Sequence, residues 1–232
     1  MFDQIPNVRE LCLHGWEEDS AFDHPDLSKL RNLRSLKLYR PQLRVFPKLP
    51  TAIRNLDLSY NYNMDLHCLE SRQNLEDYNL LDLEFLDLRF VPDLSGQSLV
   101  DLLHPSKGKL KGLNISSCSH VDGMSVNQLI TNGYLDEIVD LSLSSLEIDD
   151  SIAETLARLS RDLKRLHLSS TKITGVGVKA LVLKPQGMIQ ELVLNNCTGV
   201  SIDAVEFAKA KGINVTFTFP DNLRYGRRVR LS

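Results

Sequence analysis

The sequence predicts an α/β fold built as a solenoid, in which short parallel strands form one continuous sheet and the connecting segments return along the opposite side. Three observations predict it. An apolar-x-x-Leu-x-apolar motif recurs along the whole chain, and its copies are spaced by 20 to 30 residues. The segments between the later copies have the apolar periodicity of short helices.

The motif has eight clear copies and a ninth, degenerate one. Its first copy is residues 8–13 and its last clear copy is residues 189–194. The central positions of the nine copies are Leu11, Leu36, Leu56, Leu86, Leu113, Leu141, Leu166, Leu192 and Val215. Such spacing is typical of leucine-rich repeats, so we predict a leucine-rich-repeat solenoid, a horseshoe arc of about nine coils.

The phase of each motif fixes which side chains face the core. A strand turns successive side chains to opposite faces, so the last two apolar residues of a motif point inward and their neighbours point outward. The outward residues of all coils then line one parallel, concave sheet.

The returns from residue 96 onward are predicted as short convex helices, which occupy the C-terminal two-thirds of the solenoid. Ser or Asp near their starts supplies the N-caps. The predicted helices span residues 98–103, 125–130, 151–159, 176–183 and 202–210.

The early returns are predicted to be extended. Pro47 and Pro50 fall within one coil of 20 residues, which leaves no room for a full helix. The interval of 30 residues between Leu56 and Leu86 predicts an irregular insertion that covers the core. Leucines available for that cover are Leu66, Leu69, Leu75, Leu80 and Leu81. We expect residues 1–219 to form the solenoid and residues 220–232 to form a C-terminal basic tail or cap.

Composition excludes several classes of function. The net charge is −3 and the sequence pI is about 6.1, which gives no global attraction to nucleic acid or anionic membrane. No run of residues is long and apolar enough to span a bilayer, and no secretory signal opens the chain, so no membrane role is expected. The four cysteines form no CxxC pair, which fits reduced, buried thiols in the nucleus or cytoplasm, with no cofactor and no metal.

The later coils carry a finer signature. Leu113-Asn-Ile115-Ser-Ser-Cys118 and Leu192-Val-Leu194-Asn-Asn-Cys197 share one frame, and Thr171 replaces the cysteine in the coil between them. This pattern resembles the cysteine-containing leucine-rich repeats of F-box proteins and their ribonuclease-inhibitor-like relatives. The resemblance implies that Cys118, Thr171 and Cys197 are structural, satisfying backbone groups where the strand turns into the convex return.

The same resemblance implies a function. F-box proteins of this kind are substrate receptors of SCF-type ubiquitin ligases, in which an F-box holds Skp1 and the cullin complex and the repeats hold the protein substrate. No Leu-Pro-initiated F-box precedes the first repeat here, so we expect this chain to be the repeat portion of a longer protein, acting as a monomer. The prolines of the short coil, the mixed repeats and the basic end are similar to fungal replication-fork F-box proteins with tetratricopeptide repeats, which would imply a replisome target in DNA replication.

The predicted partner site is the N-terminal half of the concave face. Coils two to four gather aromatic and charged outward residues, and interface hot spots favour aromatic side chains and Arg. The candidate site residues are Lys37, Tyr39, Asp57, Tyr60, Phe85, Asp87 and Arg89, with Arg165 and His167 beyond a centre of small residues. An equally weighted alternative is that Phe85 and Phe90 only cover the irregular insertion.

The C-terminal end is the one concentrated basic stretch of the sequence. Its arginines are Arg224, Arg227, Arg228 and Arg230. They would contact phosphate or an acidic surface, or else stay solvated while their apolar neighbours cap the last coil; the cap is preferred.

No catalytic motif for phosphate binding, zinc proteolysis or serine hydrolysis is found, so we predict a non-catalytic binding module. The adjacent acids Asp149 and Asp150 are expected to be solvated or capping rather than a catalytic pair. The alternatives to a ligase receptor are a ribonuclease-inhibitor-like regulatory scaffold without a ligase role and a DNA-associated replication or repair scaffold that uses the basic end.

Overall fold

A computed structural model describes residues 7–14, 26–39, 43–66, 80–184 and 189–218. Within them, nine parallel strands form one sheet in sequence order. The strands are β1 (Glu10–His14), β2 (Ser35–Tyr39), β3 (Asn55–Asp57), β4 (Phe85–Asp87), β5 (Gly112–Asn114), β6 (Asp140–Ser142), β7 (Arg165–His167), β8 (Glu191–Val193) and β9 (Asn214–Thr216). The predicted leucine-rich-repeat solenoid is confirmed.

The register of the sheet follows the repeat. Leu11 pairs with Leu36, Leu36 with Leu56, and this continues to Leu192 with Val215. The central leucines from Leu36 to Leu192 are at most 2% exposed, and the inward residue two positions later is buried in every one of those coils. The apolar rows of neighbouring coils therefore form one continuous core.

Among the described residues, five convex helices of at least eight residues begin close to their predicted starts. They are α1 (Gly96–Leu103), α2 (Gly123–Thr131), α3 (Asp150–Leu159), α4 (Gly175–Val182) and α5 (Ile202–Ala210), and a short 3-10 turn at His104–Ser106 follows α1. Each of the five α-helices has an N-cap side chain that accepts a hydrogen bond from a backbone N–H of the first turn. This bond satisfies a donor that has no partner within the helix. The caps are Ser95, Asp122, Asp149, Thr174 and Ser201.

The described early returns contain no helix, as the two prolines predict. Instead, extended segments of successive coils meet in isolated parallel bridges, Asp26 with Lys48 and Val45 with Asp65. Phe46, next to Val45 in the same return, is fully buried. A compact coil thus buries its core with an aromatic ring rather than with a helix.

The insertion after β3 is described only at its ends, because residues 67–79 lie outside the described residues, Leu69 and Leu75 among them. Leu66 and Leu80 are buried, as expected of a core cover. Leu81 is 46% exposed, so its assignment to the core cover is wrong. Residues 219–232 are also outside the described part, and the proposed boundary at 219/220 stays a prediction.

The cysteine positions behave as the resemblance implies in the later coils. The Cys118 thiol donates to the carbonyl of Leu88 at 3.1 Å, and the Cys197 thiol donates to the carbonyl of Leu168 at 3.0 Å. Thr171 donates to that same carbonyl at 2.7 Å. Burial raises the pKa of the Cys118 thiol to about 12, so the group is inert at neutral pH.

Cys12 corrects the expectation of uniformly buried thiols. It is exposed on β1, with its Sγ 3.0 Å from Nε2 of His14. Its position directly after the central Leu11 turns it outward, whereas Cys118 and Cys197 follow the turn at the end of their strands.

Candidate functional site on the concave face

The outward side chains of β2 to β7 line a groove of about 750 Å³, which we call the concave groove. Its lining includes candidate residues of coils two to four, the small residues of coils five and six, and His167 of coil seven. Its members from the predicted site are Lys37, Asp57, Tyr60, Phe85, Asp87, Arg89 and His167.

Aromatic rings form a ladder across the first four coils. Tyr60 lies stacked on Phe90, with ring centroids 4.8 Å apart, and Tyr39 meets Tyr60 edge to face at 5.2 Å. His14 continues the ladder, 5.6 Å from Tyr39. Such ring pairs stabilise one another by about 0.5–1.5 kcal/mol beyond their buried area, so the ladder is a preformed surface.

Two members of the ladder occupy an uncommon backbone conformation. Tyr60 has φ 64° and Phe90 has φ 57°, in the left-handed region. The corresponding residues of coils five to eight have the same conformation but are small or polar: Ser117, Ser145, Ser170 and Asn196. A bulky side chain is disfavoured in this conformation, so Tyr60 and Phe90 carry a local conformational cost that the small residues of the later coils do not.

Charged side chains beside the ladder are paired. Nζ of Lys37 lies 2.9 Å from Oδ2 of Asp57, and Nη2 of Arg89 lies 3.1 Å from Oδ2 of Asp87. The guanidinium of Arg89 also lies over the ring of Tyr60, 5.5 Å from its centroid. This part of the groove is therefore close to electroneutral.

The two aspartates differ in pKa although they are register partners on adjacent strands. Burial raises the pKa of Asp87, and the negative charge of Asp57 raises it further. The hydrogen bond from the Arg89 backbone and the charge of Arg89 lower it, but they do not outweigh burial. Burial acts in the same direction at Asp57, but hydrogen bonds from Ser59 and Lys37 outweigh it and lower the pKa of that carboxyl.

Phe85 begins β4 at the opposite side of the groove and is 44% exposed. A Cβ on Gly112 would lie 2.5 Å from Cδ1 of Phe85, so the ring occupies the space that a side chain would fill. Gly112 therefore acts as a seat for Phe85. Phe85 and Phe90 both line the groove. The alternative that these two rings only cover the insertion stays a prediction, because residues 67–79 lie outside the described residues.

The centre of the groove has a floor of small polar side chains whose hydrogen bonds are largely internal. The hydroxyls of Ser116 and Ser142 lie 2.7 Å apart, and the Ser144 hydroxyl accepts from the N–H of Ser169 at 3.1 Å. Asn114 donates to Asp87 at 3.3 Å. The floor is therefore low and polar, and its side chains form hydrogen bonds mostly with one another and with the neighbouring backbone.

At the far end, Arg165 donates from Nε to Oδ2 of Asp140 at 2.8 Å. His167 lines the groove, whereas Arg165 lies outside its lining. Among the described residues, no three His, Cys, Asp or Glu side chains are grouped as a metal site. No helix of the described part is long and apolar enough to cross a membrane.

The structure brings the candidate residues of coils two to four together and leaves Arg165 apart from them. The basic tail of Arg224, Arg227, Arg228 and Arg230 lies outside the described residues. Sequence reasoning missed Tyr62, which is 52% exposed with its ring 6.5 Å from that of Phe90, and the role of Gly112 as a seat. A glycine at an outward strand position next to an aromatic residue was the available signal.

Comparisons with known proteins agree with this fold. No family model matches the chain. It is 34% identical over 94 residues to Leucine-rich repeat-containing G-protein coupled receptor 5A of Xenopus laevis, which covers 38% of this chain and 10% of that protein. It is 32% identical over 120 residues to Protein DIA2 of Eremothecium gossypii, covering 50% of this chain and 16% of that protein. The matches thus span a small fraction of either relative's length.

The nine-coil parallel sheet, its preformed concave groove and the similarity to a leucine-rich-repeat receptor together define the class. The chain is a leucine-rich-repeat solenoid with the character of a protein–protein interaction module.

Proposed function

We propose that this chain is the substrate-binding portion of an SCF-type ubiquitin-ligase receptor, which holds a protein on the N-terminal half of its concave face while other subunits perform the chemistry. The observation that carries the binding role is the aromatic ladder beside paired charges in coils two to four, which is half-buried at Tyr39 and Tyr60 and exposed at Phe90. Aromatic rings and Arg are the side chains most enriched among residues that dominate interface energies.

The ligase role is supported by the repeat type. Cys118 and Cys197 stand at the same place in their coils, and each donates to the carbonyl of the residue that follows the strand of the preceding coil. This regular arrangement fits the cysteine-containing repeats that this chain resembles. On this proposal Skp1 and the cullin complex bind through a segment other than these repeats, and the protein acts in the nucleus or cytoplasm.

A ribonuclease-inhibitor-like regulatory scaffold is the competing function, because the same groove could hold a partner without delivering it to a ligase. Affinity purification of the full-length protein with mass spectrometry separates the two. Wild type is compared with the triple variant Tyr39→Ala/Phe85→Ala/Arg89→Ala and with a matched control on coil eight, Glu191→Ala/Val193→Ala.

The receptor proposal expects Skp1 and cullin to co-purify with wild type and with both variants. It also expects one further protein that co-purifies with wild type and the coil-eight control but not with the triple variant. Absence of ligase subunits from every purification would overturn the ligase role and leave the regulatory scaffold. Retention of all partners by the triple variant would instead overturn the assignment of the site.

A further inference from the structure

The concave groove crosses the strands of the sheet. In its central coils the lining runs from the first residue of the strand to the turn after it, as from Phe85 to Phe90. It extends from β2 to β7, and five strand spacings of about 4.8 Å give a length of roughly 24 Å.

This length suits one extended chain. About seven extended residues cover roughly 24 Å.

A step divides the groove between coils four and five. Phe90 stacks on Tyr60 towards coil three, whereas the corresponding residue of coil five is the small Ser117. On the other side of the groove, Phe85 lies over Gly112. An aromatic wall on coils three and four therefore faces a low floor of small residues, and we call this boundary the aromatic step, formed by Tyr60, Phe85, Phe90, Gly112 and Ser117.

The charges that line the groove are already paired: Lys37 with Asp57 and Arg89 with Asp87 inside it, and Asp140 with Arg165 at its far end. A charged partner would have to compete with these pairs. Exposed ring surface is what the site offers instead, since Phe85 is 44% and Phe90 is 37% exposed. Burial of such surface is favourable without any counter-charge.

We infer that the groove takes an extended, uncharged segment of the partner polypeptide, which crosses the strands and seats one aromatic or long aliphatic side chain against the aromatic step. This deepens the proposed function and rests on it for the claim that the concave face holds a protein. The backbone of the segment lies over the hydroxyl and amide floor of Asn114, Ser116 and Ser142, and its anchor side chain provides the specificity.

The test selects random linear peptides displayed on phage against the full 232-residue chain, and measures their affinity by fluorescence anisotropy at about 50 mM and about 500 mM salt. Two variants address the step. Gly112→Ala displaces the exposed ring of Phe85 without removing it. Phe90→Ser gives coil four the residue that coil five has at that place. Val193→Ala on coil eight is the control, and circular dichroism checks that each variant is folded.

The inference expects selected peptides that share one aromatic or aliphatic residue within uncharged flanks, with affinities that change less than about threefold with salt. Each step variant should weaken binding about tenfold or more, and the control less than twofold. Selection of charged, strongly salt-dependent peptides, peptides insensitive to both step variants, or no peptides at all would overturn it. If cellular partners are still lost from the triple variant while selection fails, the partner uses a folded surface and the proposed function stands without this inference.

Discussion

Asp150 links two neighbouring convex helices. It is the first residue of α3, and its Oδ1 accepts from the backbone N–H of Thr174 at 2.8 Å while its Oδ2 accepts from the Thr174 hydroxyl at 2.6 Å. That hydroxyl oxygen in turn accepts from the N–H of Val176 as the N-cap of α4. Asp150 thus orients the cap of the next coil.

We predict that Asp150→Ala lowers the free energy of unfolding by about 2–3 kcal/mol. A hydrogen bond to a charged group contributes about 1.5–3 kcal/mol, and the variant leaves the half-buried N–H of Thr174 without its acceptor. A weakened N-cap adds up to about 1 kcal/mol, although the two losses share Thr174 and are not additive. Asp150→Asn retains one acceptor oxygen and should cost less than Asp150→Ala.

Urea unfolding followed by circular dichroism measures the effect. A double-mutant cycle with Thr174→Ala isolates the part that comes from the hydrogen bond between the Thr174 hydroxyl and Asp150, because the backbone N–H of residue 174 remains in the variant. The cycle should give a coupling of about 1 kcal/mol or more between the two residues. A loss below about 0.5 kcal/mol for Asp150→Ala, or a coupling near zero, would show that the Asp150–Thr174 contact does not hold the two coils together.

Three further predictions concern other parts of the solenoid. Gly177→Ala should destabilise the fold although Ala favours helix, because the added Cβ would lie 2.4 Å from Oδ1 of Asp150. Gly123→Ala should not destabilise it, because its Cβ would meet the Glu147 carbonyl at an ordinary 3.4 Å. Thermal unfolding of both variants shows whether each change in stability has the expected sign. Iodoacetamide with mass spectrometry should modify exposed Cys12 in the native protein and leave Cys118, whose pKa is about 12, unmodified; equal labelling of both would contradict the burial of Cys118. The pKa of Asp57 is lowered in the folded protein, so its carboxylate stabilises the fold above the ordinary pKa of 3.8, and this contribution is lost as the pH falls through the lower folded pKa. In urea unfolding measured below about pH 4, wild type should therefore lose more stability than Asp57→Asn. Parallel stability curves for the two proteins would refute this.

The repeat could be read from sequence because the strand period and the coil spacing are local properties. Each central leucine predicted a strand, and the register between coils then follows without any further information. Helix starts could be predicted to within two residues, since a capping residue such as Asp122 or Ser201 stands at the beginning of each helical return.

The candidate site could be predicted only in outline. The alternation of residues along β2 to β4 indicated that Lys37, Asp57 and Asp87 face outward, but not which charge pairs with which. Asp87 meets Arg89 of its own coil, whereas Asp57 meets Lys37 of the preceding coil. Such choices depend on rotamers and on neighbouring coils, which the spacing of a motif does not contain.

Exposure was the least predictable property. Leu81 is apolar, as core residues are, yet it is 46% exposed. Phe85 is 44% exposed because its ring lies on the surface, over the space that a side chain on Gly112 would fill, and not in a cavity of the core. Apolar character alone does not say on which side of a coil a side chain finds contacts.

The central claim is that the N-terminal half of the concave face holds the partner. Its most direct test is the dissociation constant of the captured partner, measured calorimetrically with the full 232-residue chain carrying changes in one half or the other. Tyr39→Ala/Phe85→Ala/Arg89→Ala should weaken binding by about a hundredfold or more, and Glu191→Ala/Val193→Ala by less than about twofold. A loss confined to the coil-eight variant would contradict the account.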